Sequence, residues 1–191
     1  MIKKYYVIIG FLFIISFSSC SSSEDTNHLD SKFTLNDTEY STPNGHLITL
    51  VNNPTSSTQA LFNVLYLLDG KILNNEFKGD GCDYSNNVTS GVIIGLVTGY
   101  EEEFFLPSGT YNYGESNSSS YIAPSFIITD VVVENNCTVS SNSIGQQQII
   151  NGVVNVERSD NIFTINYTFE TRDFGNIQGK YVGPLQQVER I

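Results

Sequence analysis

From residue 32 onward the chain alternates between short apolar or period-two runs and clusters of Asn, Gly, Asp, Ser and Pro. Runs of this length, bounded by turn formers, predict strands, and their spacing predicts an antiparallel sandwich or barrel. The candidate strands are 32–36, 38–42, 46–52, 60–68, 91–99, 103–106, 109–113, 125–134, 147–158, 162–171 and 176–185. The clearest is 162–171, where Phe163, Ile165, Tyr167 and Phe169 alternate with Thr164, Asn166, Thr168 and Glu170. Successive strand side chains point to opposite sides, so one face is expected to be buried and the other wet. Turns at 159–161 and 172–176 join this strand to Val154 and Val156 on one side. On the other they lead to Ile177, Gly179, Tyr181, Gly183 and Leu185, completing a three-stranded meander.

Strands 60–68 and 91–99 are apolar on both faces, with Phe62, Val64, Leu65, Tyr66 and Leu67 in the first and Val92, Ile93, Ile94, Leu96 and Val97 in the second. Such strands belong at the centre of packed layers. Gly95 marks a bulge, a close approach of another backbone, or a tolerated small residue. No window carries a convincing amphipathic helix, and no repeat of fixed period is visible. The expected fold class is all-β, an antiparallel β-sandwich, with a lipocalin-like closed β-barrel as the alternative.

Length and composition narrow this further. A chain of 191 residues has room for one domain. Ser, Thr and Asn together supply 57 residues, Phe 12 and Tyr 11, while Met occurs once and Trp not at all, which suits polar-faced strands better than a helical bundle. Twenty acidic against nine basic side chains give a net charge of −11. Nucleic acid is therefore a poor partner, since phosphate binding is driven by cationic groups.

The first residues follow a different rule. Lys3 and Lys4 precede an apolar run over 7–15, and Ser16, Phe17, Ser18 and Ser19 lead to Cys20. A charged start, a short apolar stretch and small residues before a cleavage point make a secretory signal, too short to span about 30 Å of hydrocarbon comfortably. Ser18, Ser19 and Cys20 resemble the lipobox of bacterial lipoproteins, with Phe17 where Leu is usual, a relaxation known from Bacteroidota. The resemblance implies a signal peptide at 1–19, lipidation of Cys20 by a diacylglyceryl thioether and further acylation. At about 0.8 kcal/mol per buried methylene, two or three chains hold a protein firmly to a bilayer. Residues 20–31 then form the lipidated Cys and a flexible polar tether, and 32–191 the β domain. Serines followed by acids after the Cys are similar to export signals of surface lipoproteins of that group, which leaves the periplasmic and the outer face as alternatives. Loss of residues 1–19 removes two lysines and no acids, leaving seven basic against twenty acidic residues, or −13. Such a domain is expected to stand off anionic lipid.

The meander also resembles the ending of small Bacteroidota envelope lipoproteins through Gly152, Val154, Val156, Phe163, Ile165, Tyr167, Ile177, Gly179, Tyr181, Gly183, Pro184 and Leu185. The stretch 106–111 is similar to a turn and strand of the same proteins. This implies a β architecture and no particular activity.

With Cys20 committed to lipid, Cys82 and Cys137 remain in a chain exported to an oxidising compartment, and an even remainder there suggests one disulfide. Two separate thiols or a metal site are the alternatives. A zinc site needs about four ligands, and only His28 and His46 are available beside these cysteines.

Candidate chemistry is sparse. His46 has no catalytic motif around it and is expected to be an exposed or capping residue at a strand start. Paired carboxylates suited to glycoside hydrolysis occur at Glu101, Glu102 and Glu103, and at Asp80 and Asp83. The oxygen-rich loop from Asp69 to Asp83 lacks the acid and Gly spacing of an EF-type calcium site, so it is expected to be solvated. Binding character is concentrated at Tyr111, Tyr113 and Tyr121, set among Ser, Asn and Gly as in adaptable recognition loops. The expected protein is a lipid-anchored cell-envelope lipoprotein with a non-catalytic binding or structural β domain, without a cofactor or metal, and with a glycan or protein ligand. A carboxylate-dependent polysaccharide-active enzyme and a lipocalin-like carrier of an apolar ligand are the rivals.

Overall fold

The computed structural model describes residues 30–52, 60–74, 76–99, 106–114 and 120–190. Cys20 with its signal and most of its tether lies outside the described residues, as do Glu101, Glu102 and Glu103, most of the candidate strand 103–106 and the middle of the Tyr111 to Tyr121 loop. In chain order the strands are β1 (Lys32–Leu35), β2 (Thr38–Ser41), β3 (Asn44–Asn52), β4 (Ala60–Leu68), β5 (Glu76–Phe77), β6 (Gly91–Gly99), β7 (Gly109–Asn112) and β8 (Tyr121–Ile122). They continue as β9 (Phe126–Glu134), β10 (Cys137–Ile144), β11 (Ile149–Ser159), β12 (Ile162–Thr171), β13 (Gly175–Gly183), β14 (Leu185–Gln187) and β15 (Glu189–Arg190). Among the described residues no helix is long and apolar enough to cross a membrane.

Among the described residues, two sheets, antiparallel apart from the parallel edge pair β3–β14, form a sandwich and do not close into a barrel. The first has the order β2-β1-β13-β12-β11-β7 and the second β10-β9-β6-β4-β3-β14, with β8 beside β6. The lipocalin-like alternative is thereby corrected. The meander β11-β12-β13 is the middle of the first sheet, and Phe163, Ile165, Tyr167 and Phe169 all point inward and are buried. The two-faced apolar strands β4 and β6 are hydrogen-bonded neighbours inside the second sheet, with the expected boundaries. Leu47, Leu65, Leu67, Val92, Ile94 and Leu96 meet Phe33, Val154, Val156, Ile165, Ile177 and Tyr181 in one core between the sheets.

Tight hairpins set the register. β1–β2 turns at Asn36 and Asp37 (φ 49° and 62°), and β9–β10 at Asn135 and Asn136 (φ 51° and 66°). Two successive positive φ angles are those of a type I′ turn, whose twist matches the paired strands and which Asn and Asp tolerate. At Gly95 another backbone does come close. Its carbonyl accepts the Ala123 N–H at 2.8 Å, and a Cβ there would lie 2.6 Å from the Pro124 carbonyl oxygen.

The outer face of the second sheet is also apolar. A second cluster of Ile48, Tyr66, Leu68 and Val131 is roofed by Ile72 and Val88 from the 69–90 excursion and by Val188 near the C-terminus. The parallel pair β5–β15 ties these two covering segments together.

Candidate functional site

A pocket of about 400 Å³ lies where the turns at one end of the first sheet approach β9 and β10 of the second. Its parts come from four separated segments. The Asn36–Asp37 turn returns the chain so that Thr38 and Tyr40 share the inner face with Leu35 and Phe33. Tyr40 is fixed there by stacking on Phe33, with centroids 4.8 Å apart and planes within 11°. In the β12–β13 turn, Thr171 Oγ1 accepts the Phe174 N–H at 2.9 Å and donates to the Gly175 carbonyl at 2.8 Å. This three-residue turn, closed by Gly175 at φ 71°, packs Phe174 against the core edge. The second sheet adds Ile127 and Thr129 from β9, and Asn142, Ser143 and Ile144 from β10.

The chemistry of this pocket is uniform. Its floor is Leu35, Ile127 and Ile144, its walls are Tyr40 and Phe174, and its rim carries the amides and hydroxyls of Asn36, Thr38, Thr129, Asn142 and Ser143. Among the described residues, no Lys, Arg, His, Asp or Glu side chain lines it. An ion entering would shed water without a charged lining side chain to meet it, since the nearest carboxylate, Asp130, is held behind the rim by Asn142 and Thr129, so the pocket suits an uncharged ligand. Its volume lies in the roughly 300–1,000 Å³ range of small-molecule sites, and an apolar lining with a few placed polar groups is their usual composition.

The residues singled out from the sequence lie elsewhere. Tyr111 is buried in the core, where its hydroxyl donates to the Pro107 carbonyl at 2.7 Å, so its ring offers no open face. Tyr113 is half-buried, packs on the core and bridges to Ile122, and Tyr121 on β8 pairs with Val97 on β6. Tyr113 and Tyr121 thus flank one junction beside the sandwich and take no part in the pocket. Cys82 and Cys137 form a disulfide, which ties the 69–90 excursion to the start of β10.

Two expectations are corrected. His46 is not an exposed cap, because it is 1% exposed beneath that excursion. Its Nε2 accepts the Ile72 N–H at 3.3 Å, which leaves Nδ1 without a hydrogen-bond partner. Burial, with Lys71 nearby, lowers its pKa to about 4. The Asp69 to Asp83 loop is not merely solvated. The Asp83 carboxylate is buried and accepts the N–H groups of Lys78 (2.8 Å) and Gly79 (3.0 Å). Asp69 accepts from the backbone and hydroxyl groups of Thr89 and Ser90, and Asp80 accepts the Cys82 N–H at 2.9 Å. These carboxylates shape turns. Among the described residues, no group of three His, Cys, Asp or Glu side chains is placed to hold a metal.

Sequence reading missed Tyr40, Phe174, Asn36 and Asn142 as site residues. Their local signals are those of ordinary hairpins, and Asn36 was read as the end of the strand 32–36. Comparisons with known protein families, with curated proteins and with solved structures give no match to this chain.

Proposed function

We propose that the protein is a lipid-anchored lipoprotein of the bacterial cell envelope, tethered to the outer membrane through Cys20, whose β domain binds a small uncharged ligand without catalysing its conversion. The observation that carries the binding part is the pocket between the β1–β2 and β12–β13 turns and strands β9 and β10. It combines a buried apolar floor, two aromatic walls and a hydroxyl and amide rim, with no charged side chain lining it among the described residues. General acid–base chemistry needs a positioned His, carboxylate, Lys or comparable proton carrier with a suitable pKa, and hydroxyls alone do not supply one. The anchor reading rests on Cys20 and the residues before it.

Growth with radiolabelled palmitate tests the anchor. Label is expected in the wild-type protein, and Cys20→Ser is expected to abolish both label and membrane association. An unlabelled product with an unprocessed N-terminus would overturn it. Methyl NMR of Ile127 and Ile144 tests the binding module: an uncharged ligand should shift both, and replacing Tyr40 or Phe174 with Ala should weaken that response.

A further inference from the structure

We infer that the pocket recognises a neutral sugar residue, and that Asp130 is a positioning residue which aims Asn142 at it. The inference rests on the reading of the β domain as a binding module and gives that module its ligand class.

Asp130 stands at φ 51° on β9, and its carboxylate faces β10, where Oδ2 accepts Asn142 Nδ2 at 2.8 Å and the Thr129 hydroxyl at 3.4 Å. With its NH₂ held by Asp130, Asn142 has its carbonyl oxygen left as an acceptor for a ligand at the rim. Ser143 and Thr38 add hydroxyls that both donate and accept. A ligand matching this rim must itself carry several hydroxyl or amide groups, since a hydrocarbon would leave rim groups desolvated and unpaired. The Tyr40 and Phe174 rings require that the same ligand also present an apolar C–H face. Tyr40 has one ring face against Phe33, so its orientation is set before a ligand arrives. Hydroxyls around the edge, C–H groups on the face and no charge together describe a pyranose ring.

The test uses the full chain in a polyoxyethylene detergent with selectively labelled isoleucine methyls. Glucose, galactose, mannose, xylose and N-acetylglucosamine are titrated against it, beside N-acetyl-tyrosinamide and benzyl alcohol as uncharged probes that are not sugars. At least one sugar is expected to shift Ile127 and Ile144. Asn142→Ala and Asp130→Gly, the latter keeping the left-handed backbone easy, should each weaken its binding about tenfold or more, while Asp130→Asn restores most of it. If only a non-sugar probe shifts the two methyls, the pocket binds and the sugar assignment is overturned. If no probe shifts them, both the assignment and the binding-module reading fall. If Asp130→Gly binds the sugar as wild type does, the role of Asp130 is overturned. Unchanged methyl signals of the core isoleucines Ile94, Ile165 and Ile177 in the unliganded variants establish that each has folded.

Discussion

The two sheets bury the same core between them but treat their outer faces in opposite ways. On the first sheet, the outward positions of β12 are Thr164, Asn166, Thr168 and Glu170, with Asn155 and Gln178 opposite Asn166 and Thr168 on the flanking strands. That face meets water directly. On the second sheet, the outward positions include Ile48, Tyr66 and Leu68, and the 69–90 excursion and the C-terminal segment are laid across them. The difference teaches that strict alternation suffices for a sheet with one wet face, whereas a two-faced apolar sheet needs a separate cover, with its own fastenings. In this molecule those fastenings are the disulfide, the His46 acceptor under Ile72 and the Asp83 turn.

The comparison breaks most visibly at the disulfide. Replacing Cys82 and Cys137 together by Ser is expected to destabilise by about 4 kcal/mol, the loop-closure entropy of a 55-residue separation. Dye binding to newly exposed apolar surface should rise with it, because the second sheet loses a clasp on its cover. Urea titrations of wild type and double variant check the size, and faster amide exchange at Ile72 and Val88 than at Ile165 checks the place.

Acid comes next. The His46 pKa falls from 6.5 to about 4 on folding, so between those values the unfolded chain binds the extra proton. Its contribution is complete above pH 6.5, is lost progressively as pH falls towards 4, and is constant below that. The loss is about 3 kcal/mol at a cost of roughly 1.4 kcal/mol per unit. Urea midpoints at pH 7 and pH 4.5 should differ by less in His46→Gln than in wild type.

The first sheet has a different weak point. Gly152 and Gly179 sit opposite Phe169 and Tyr167, whose rings lie over them, so a Cβ at Gly152 would come within 2.6 Å of Phe169 Cδ1. Gly152→Val or Gly179→Val is expected to cost about 1–3 kcal/mol through displaced rings, read as a lower melting temperature without a new acid sensitivity. Smallest of all is the pair on the wet face, Lys32 Nζ to Glu39 Oε2 at 2.7 Å, with both side chains about half exposed. Lys32→Ala should leave the melting temperature unchanged within error, because such a pair is screened by solvent.

Legibility in the sequence followed the same divide. The meander was readable residue by residue, since period two with β-branched and aromatic residues on one side has few other solutions. Strand β10 was not, because Thr138, Ser140, Ser141, Asn142 and Ser143 lie at an outer edge, exposed or half-buried, and carry no apolar alternation. The two-residue strands β5, β8 and β15 and the three-residue β14 are too short for any period. Tyr111, Tyr113 and Tyr121 drew attention by composition, and the core claimed the first of them. The pocket drew none, because Leu35, Tyr40, Ile127, Asn142 and Phe174 become neighbours only when both sheets are in place.

By itself the sequence determined the all-β class, the buried face of the meander and the central position of β4 and β6, and it left a Cys82–Cys137 disulfide as one of three options that the structure then settled. The first three follow from periodicity and strand hydrophobicity, which act locally. Tertiary structure alone decided that the sheets stack rather than close, that His46 is buried, and that an uncharged pocket opens between hairpins distant in the chain. Those outcomes depend on which surfaces meet across the core, and a one-dimensional pattern of side chains does not record that choice.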